Sequence, residues 1–571
     1  MKLIGPLFAL ALAAFASAQK PILTVNAKAG DVLTGVKRFV VKVQAKNPVT
    51  QVEFTVGKEL RETDPSTPYE FDLDTIAEND GDLLIKFTAY TSEGENASAT
   101  LTIRIDNGVS KGAGFHLGKA KDALTLSKWD DAITEARIAL KADKNSDQAR
   151  LDLARAYLNK GVLDKAQKYV GEADPNGVEA LELSAAIDLR RAFAMRNRTQ
   201  DDPASAVNAI SQALKNAVAS RRRSLDKQID SFGAINDGNR LAFVDLALRG
   251  ARYSLATEQL IPMFRRDPKN NDAANRLVFA YLRSGRLTEA REALDALKKF
   301  GSPDSYGSAL EAVYDIQVGA DQKSSDAMRD AILSDPDNLG VKSAQAFIAL
   351  KQGKSQVLAQ VARDLASTDS QRTEVNYFIA ALDNRLGVSG EETERYFMRS
   401  VLIEPTNYDM YIEWGNYSLG LGVSKRLDKK NSDAEVSYAN ALYSAALTAN
   451  PSSAQALTGL CLVSMYQGKI DDAVRFGRAA AEAAPQYAAA HYAYSAAATI
   501  KAGSIHPLGA PNEAALKKAQ DGFTATARHE NEAAGKYDPI ALQGRAIPNV
   551  SQALKYFANG GRTIVMVPPG P

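Results

Sequence analysis

The sequence predicts a mostly α-helical chain: a superhelical solenoid of stacked helix hairpins, preceded by a small all-β sandwich. Two periods in the hydrophobic pattern lead to this fold class. Over residues 115–505, apolar side chains recur at the three- and four-residue spacing of helices that bury one face. Over residues 19–107, apolar and polar residues mostly alternate, as in half-buried strands. The 571 residues are too many for one core, so several domains or a solenoid are expected.

Residues 1–18 are predicted to be a secretory signal peptide that is cut after Ala18. Lys2 precedes an apolar run that is too short to span a bilayer, and small residues stand at the cleavage site. Removal of Lys2 lowers the formal net charge from +1 to 0, which gives no reason to expect nucleic acid as a partner. The only cysteine is Cys461, so no intrachain disulfide is expected. We therefore expect an exported protein of a bacterium, periplasmic, extracellular or in the cell envelope, without a membrane-spanning segment after signal removal.

Residues 19–107 are predicted to form an antiparallel sandwich of around seven short strands, with turns at residues 47–48, 64–65, 79–81 and 93–94. Its details resemble a bacterial immunoglobulin-like domain. The resemblance lies in residues 52–57, in Pro68-Tyr69 within residues 64–72, and in the closing residues 94–97. Glu95 separates a Gly–Asn pair that is adjacent in that family, so no ligand site is carried over. The resemblance implies a spacer or an adhesion module.

Residues 108–114 are predicted to be a Gly/Ser linker, and helix hairpins follow it at residues 115–505. In the clearest hairpin, residues 454–487, Gly468 lets the chain turn and Pro485 ends the second helix. A small or apolar residue early in the second helix recurs upstream, and five of its nine steps equal the period of about 34 residues. These anchor positions are Ala132, Ala166, Ala206, Ala256, Ala290, Ser324, Leu358, Thr393, Ala439 and Ala473.

This period, with the turn glycines and the prolines after the helices, resembles tetratricopeptide repeats, here about ten to eleven hairpins. Tyr157, Tyr281 and the pair Trp414-Gly415 stand at positions typical of that family. Two longer steps are expected to place loops beside the repeats, one containing residues 221–223 and one containing residues 425–430.

Residues 506–571 are predicted to hold a capping helix and an irregular tail. The capping helix spans 513 to about 532, and the tail contains a short helix at about 550–557 and a strand-like segment at 563–567.

Enzymatic chemistry is not expected, and neither a metal nor a cofactor is called for. The four histidines form no HExxH pair, and a single cysteine excludes a thiolate zinc site. Cys461 is expected to be a small buried apolar residue. The carboxylates are scattered at helix-surface spacing, and nothing selects a catalytic pair.

The resemblance implies a concave groove lined by the first helices of the repeats. Carried over repeat by repeat, the candidate binding residues are Lys121, Arg155, Arg249, Phe279, Arg283, Asn416, Tyr466 and Tyr492. Arg155, Arg249 and Arg283 favour a ligand with acidic side chains or a free carboxyl terminus. The alternative is that each Arg pairs with a local acid, as Asp245 would with Arg249 at i,i+4.

The sequence therefore favours an exported, non-enzymatic scaffold that binds a peptide or a protein in the concave groove. Two other functions stay open. One is a structural or adhesion protein of the cell envelope or surface. The other is a polysaccharide-handling protein or enzyme with a site in the C-terminal region.

Overall fold

The computed structural model describes residues 20–198, 203–368, 373–385 and 390–537. The chain forms two compact units, the first ending at Asp174 and the second beginning at Pro175. The predicted signal peptide at 1–18, and the predicted short helix and strand of the tail, lie outside the described residues.

The first unit begins with a β-sandwich of two sheets, ordered β1-β3-β6 and β2-β8-β7-β4-β5. All pairs are antiparallel except the short parallel pair β2 with β8. The strands are β1 (Ile22–Val25), β2 (Val32–Leu33), β3 (Val36–Gln44), β4 (Val49–Val56), β5 (Glu59–Asp64), β6 (Tyr69–Asp74), β7 (Gly81–Thr91) and β8 (Asn96–Ile105). This confirms the all-β region, whose order is consistent with an immunoglobulin-like domain.

Four phenylalanines form the centre of the sandwich core. Phe39, Phe54, Phe71 and Phe87 are each at most 1% exposed, and the rings of Phe54 and Phe87 stack with centroids 4.9 Å apart. They come from both sheets, because alternate residues of each strand point to the same face. Aromatic packing of this kind explains how a domain of fewer than about 100 residues holds together.

Hydrogen bonds hold the segment between the sandwich and the first helix in place. His116 Nε2 lies 2.8 Å from the Gly108 carbonyl oxygen, and Asp80 accepts a hydrogen bond from the Val109 amide at 3.2 Å. On the first hairpin, Arg137 pairs with Asp74 of the sandwich. The segment that the sequence presents as a flexible linker is therefore tied down on both sides.

The first unit ends with two hairpins, and the second unit carries the others. The helices of the first unit are α1 (Ala113–Thr125), α2 (Trp129–Ala142), α3 (Asp147–Asn159) and α4 (Leu163–Glu172). Those of the second unit are α5 (Val178–Arg198), α6 (Pro203–Asp230), α7 (Arg240–Arg249), α8 (Tyr253–Arg266), α9 (Asn271–Arg283), α10 (Leu287–Phe300), α11 (Ser305–Gln317), α12 (Asp321–Ser334), α13 (Leu339–Lys351), α14 (Ser355–Thr368), α15 (Thr373–Arg385), α16 (Glu391–Ile403), α17 (Tyr408–Leu427), α18 (Asp433–Ala449), α19 (Ala454–Tyr466), α20 (Ile470–Ala483), α21 (Ala488–Gly503) and α22 (Glu513–Tyr537).

The repeat register is confirmed, because every anchor position falls on an even-numbered helix from α2 to α20. Nine of the ten anchors are at most 1% exposed, and Ala206 is half-buried. Gly161, Gly285, Gly353 and Gly468 turn the chain between paired helices with φ between 68° and 78°, a region that glycine enters without steric cost. The capping helix is also present, and it extends to Tyr537.

The two inserted stretches mainly lengthen helices. Residues 221–223 lie within the 28-residue helix α6, where the loop prediction is wrong. Residues 425–427 end the 20-residue helix α17, whereas residues 428–430 lie in the predicted loop before α18. Helix α6 packs along α18, so its extra turns bridge early and late repeats.

The second unit closes on itself through this long helix. Arg221 pairs with Glu404 at 2.9 Å, and Arg196 pairs with Glu394 at 3.1 Å. Both pairs join residues about 180–200 positions apart in the sequence. They connect α5 and α6 to α16 and the residue that follows it. These contacts join repeats that lie far apart in the sequence.

Candidate functional site

A cleft of about 630 Å³ opens in the second unit where early repeats meet late ones, and we call it the seam cleft. The residues that line it fall within the stretches 251–254, 282–287, 450–457 and 479–488, not all of whose residues contribute, together with Gln317 and Tyr537. Most of these residues lie at hairpin turns or at the helix ends beside them, because the turns of successive repeats stand side by side in a solenoid.

Arg283, which lines the seam cleft, belongs to a buried ion pair. The Arg283 guanidinium lies 2.5 Å from Asp409 Oδ2, and these side chains are only 6% and 4% exposed. Arg283 also lies over the ring of Tyr408 at 4.4 Å and donates to the Tyr253 hydroxyl at 3.3 Å. The Tyr253 and Tyr408 hydroxyls are 2.9 Å apart. This network joins α8 and α9 to α17.

Burial and ion pairing shift the pKa values of Asp409 and Arg283 in opposite directions. Burial raises the pKa of Asp409, although the neighbouring Arg283 charge acts to lower it. For Arg283, burial acts to lower the pKa, but Asp409 and the two tyrosines raise it well above its usual value. The Arg283 charge is therefore neutralised inside the protein, which leaves little of it for a ligand carboxylate.

The lining residues near solvent are mostly uncharged. Ser452, Gln486 and Gln455 offer neutral donors and acceptors. Among the described residues that line the seam cleft, Glu482 is the only carboxylate. Glu482 is exposed, so it gives the rim a negative charge. A cleft with these groups is suited to the alternating amide donors and carbonyl acceptors of an extended peptide.

Of the eight candidate binding residues, Arg283 lines the seam cleft, and three others lie in the core. Phe279 is 2% exposed, Tyr492 is 7% exposed, and Asn416 is 5% exposed and accepts a hydrogen bond from the Tyr443 hydroxyl at 2.8 Å. The expectation that they line an open groove is wrong, because neighbouring helices cover them. Their polar or aromatic groups serve the packing between repeats.

The remaining four candidates are accessible and are not among the described residues that line the seam cleft. Lys121 on α1 and Arg249 at the end of α7 are exposed, while Arg155 on α3 is half-buried. Tyr466 is half-buried, with the Arg426 guanidinium 4.6 Å from its ring centre. Their role in binding stays a prediction.

The proposed local pairing of Asp245 with Arg249 does not occur. Asp245 instead accepts from Arg276 Nε at 2.7 Å. Arg249 makes no ion pair within the described part of the chain, so it differs from Arg283 in both burial and pairing.

Sequence reasoning missed Tyr253, Ser452, Glu482, Gln486 and Tyr537 as lining residues. Ser452 and Gln486 each follow a proline that comes after a helix. Their position in the turns between repeats could therefore have marked them as candidate lining residues. The residues of α8 and the capping helix gave none, because only the tertiary fold brings them to the same opening.

A model of the family described as "Tetratricopeptide repeat" matches residues 117–177, 241–305 and 437–488. The chain contains tetratricopeptide repeats. The matched segments cover the clearest hairpins of both units, and the geometry extends the same pairing to the helices between them. No curated protein is significantly similar in sequence.

Two solved structures are similar to this repeat protein at low identity. Yeast Tom70 is 14% identical, covers 78% of this chain and 99% of its own, and gives a TM-score of 0.32. The Cut9–Hcn1 hetero-tetramer of the APC/C is 13% identical, covers 78% of this chain and 96% of that chain, and gives a TM-score of 0.30. Scores this low carry no argument about the closed arrangement or the ligand.

The described residues give no support to a membrane span or a metal centre. None of the helices in the described ranges has the length and apolarity needed to cross a membrane. Within those ranges, His, Cys, Asp and Glu side chains also form no group suited to hold a metal ion. Cys461 is fully buried, and burial raises the pKa of its thiol.

Proposed function

We propose that this repeat protein is an exported, non-enzymatic scaffold that binds an extended segment of a partner protein in the seam cleft. The observation that carries the proposal is the cleft itself, an opening of about 630 Å³ bounded by the turns of early and late repeats. The tetratricopeptide fold supports a role in protein–protein interaction. Because the helices that hold the turns are packed in a continuous core, binding orders little of the scaffold.

The charges of the seam cleft select the chemistry of the partner segment. Arg283 is neutralised by Asp409, whereas Glu482 is exposed at the rim. A ligand carboxylate would meet Glu482 without gaining a free cation from the lining. We therefore replace the acidic ligand expected from the sequence with an uncharged or basic segment, whose backbone is bound by the neutral side chains around it.

Export is the second part of the proposal and rests on the apolar run and small-residue cleavage site at residues 1–18. The buried single cysteine is compatible with an oxidising compartment, since a buried thiol of raised pKa is a poor nucleophile.

Site-specific crosslinking in the native host tests the proposal. Benzoylphenylalanine replaces Gln486, an exposed residue of the seam cleft, and the adduct formed under ultraviolet light is identified by mass spectrometry. The matched control carries the same group at Arg395, which is exposed on α16 and does not line the cleft. We expect a discrete protein adduct from position 486 and not from position 395.

The charge at the rim gives the second arm of this experiment. Glu482→Lys places a cation at the rim. It should reduce the adduct of a basic segment about tenfold, equivalent to one unfavourable contact of about 1.4 kcal/mol, and leave that of an uncharged segment unchanged. Glu482→Gln keeps the size and should reduce it less. No adduct from position 486, or an adduct that increases with Glu482→Lys, contradicts the proposed site.

A further inference from the structure

His491 lies on α21, buried between the capping helix and a turn of the seam cleft. Its Nδ1 atom is 2.5 Å from Glu530 Oε2 on α22, and its Nε2 atom is 2.9 Å from the Pro485 carbonyl oxygen. His491 is 8% exposed and Glu530 is 9% exposed. The side chain is therefore held at both ring nitrogens by groups that belong to two different elements.

Both contacts are best satisfied when the ring carries two protons. A carbonyl oxygen only accepts, and an ionised carboxylate only accepts, so each ring nitrogen must donate. Burial acts to lower the pKa of His491, but the hydrogen bonds to Glu530 and to the Pro485 carbonyl raise it above its usual value. The imidazolium form thus fits the geometry that the surrounding groups provide.

The same ring is connected to the wall of the seam cleft. Pro485 lies between Ala484 and Gln486, both of which line the cleft. Tyr537 also lines it and stacks on His491, with ring centroids 5.8 Å apart. His491 therefore touches the turn and the helix end that together form this side of the opening.

We propose that His491 is a positioning residue whose protonation clasps the capping helix α22 to the turn at residues 484–487 and so holds this wall of the seam cleft in place. The clasp itself stands independently of any ligand. Its consequence, tighter partner binding in mildly acidic than in alkaline medium, rests on the proposed function.

The sign of the effect follows from the raised pKa of His491. A histidine whose pKa is higher in the folded protein stabilises the fold fully below its unfolded pKa of about 6.5. That contribution is lost as the pH rises through the folded value. While Glu530 keeps its charge, the clasp is therefore strongest at acidic pH and weakens toward alkaline pH.

Other charged or titratable groups face this region from each packed element. From α20 they are Arg478 and Glu482, from α21 Tyr494, and from α22 His529 and Lys536. Arg478 Nε donates to the Tyr494 hydroxyl at 3.3 Å, and the Lys536 ammonium lies over the Tyr537 ring, 5.3 Å from its centroid. Within the described part of the chain, Glu530 is the ion-pair partner of His491.

Hydrogen–deuterium exchange of the full chain, without any partner, tests the clasp between pH 6 and pH 9. After correction for intrinsic exchange rates, we expect protection of peptides covering 484–491 and 525–537 to fall as the pH rises. Each unit by which folding raises the His491 pKa corresponds to about a tenfold change in local opening. Peptides of α12 and α13, which contain no histidine, serve as an internal reference.

Three variants decide the interpretation. His491→Gln and Glu530→Gln should both abolish the pH dependence, and Glu530→Gln keeps the imidazole if His491→Gln fails to fold. His529→Gln, the matched control on the same helix, should retain it, because His529 is exposed. Protection that is independent of pH in the unmodified chain, or lost only for α22 and not for residues 484–491, overturns the proposal. Since no partner is present, this result is separate from success or failure of the crosslinking at Gln486.

Discussion

Arg249 and Arg283 occupy equivalent positions in consecutive repeats, yet the structure predicts opposite consequences for their removal. Arg283→Ala leaves the Asp409 carboxylate buried at 4% exposure with its cation gone. Removal of one partner of a buried ion pair typically costs about 3–5 kcal/mol. Arg249→Ala removes an exposed side chain and should change the free energy of unfolding by about 0.5 kcal/mol or less.

Urea unfolding followed by tryptophan fluorescence measures this difference in the second unit alone. The chain has two tryptophans, of which Trp129 lies in the first unit and the fully buried Trp414 in the second. In a Trp129→Phe background, the signal therefore reports on the unit that contains Arg283. Urea is chosen because it does not screen charges, and an unchanged m-value is required for a valid comparison.

A double substitution separates the lost pairing from lost packing. Arg283→Met combined with Asp409→Leu removes both charges and should recover most of the loss seen with Arg283→Ala, because an apolar pair needs no compensation. If Arg283→Ala is no more destabilising than Arg249→Ala, the closure of the second unit through this pair is wrong.

Three further predictions concern the repeats and export. Gly477→Ala should destabilise the second unit by about 1–3 kcal/mol, because a Cβ there would lie 2.9 Å from the backbone of α21. Gly420→Ala has open space around it, so it should stabilise the second unit by about 0.5–1 kcal/mol in the same urea assay. Ala473→Leu, at a fully buried anchor, should cost about 1–3 kcal/mol, and an unchanged urea midpoint would contradict the register. N-terminal sequencing of the exported protein should begin at Gln19, and an intact Met1 would disprove cleavage.

The candidate site was predicted only in part, for reasons that particular residues make clear. The repeat register placed Phe279 and Arg283 on the face of a first helix that was expected to line the groove. The register does not reveal which other helices cover that face. Arg283 meets Asp409, which lies more than a hundred positions away in the sequence. Glu482 and Tyr537 reach the same opening from helices that show no pairing signal between them.

The sequence by itself determined the local architecture of this protein. Alternation gave the strands, the helical period gave the hairpins, and small residues such as Ala473 marked where paired helices approach closely. These features depend on neighbours within one hairpin or one sheet, so their signal is local in the chain.

Only the tertiary structure decided that the second unit closes and that the seam cleft exists. Small rotations between successive hairpins accumulate, and the added turns of α6 carry Arg221 to Glu404. That accumulated geometry, not any local pattern, buries the charge of Arg283 and leaves Glu482 at the rim.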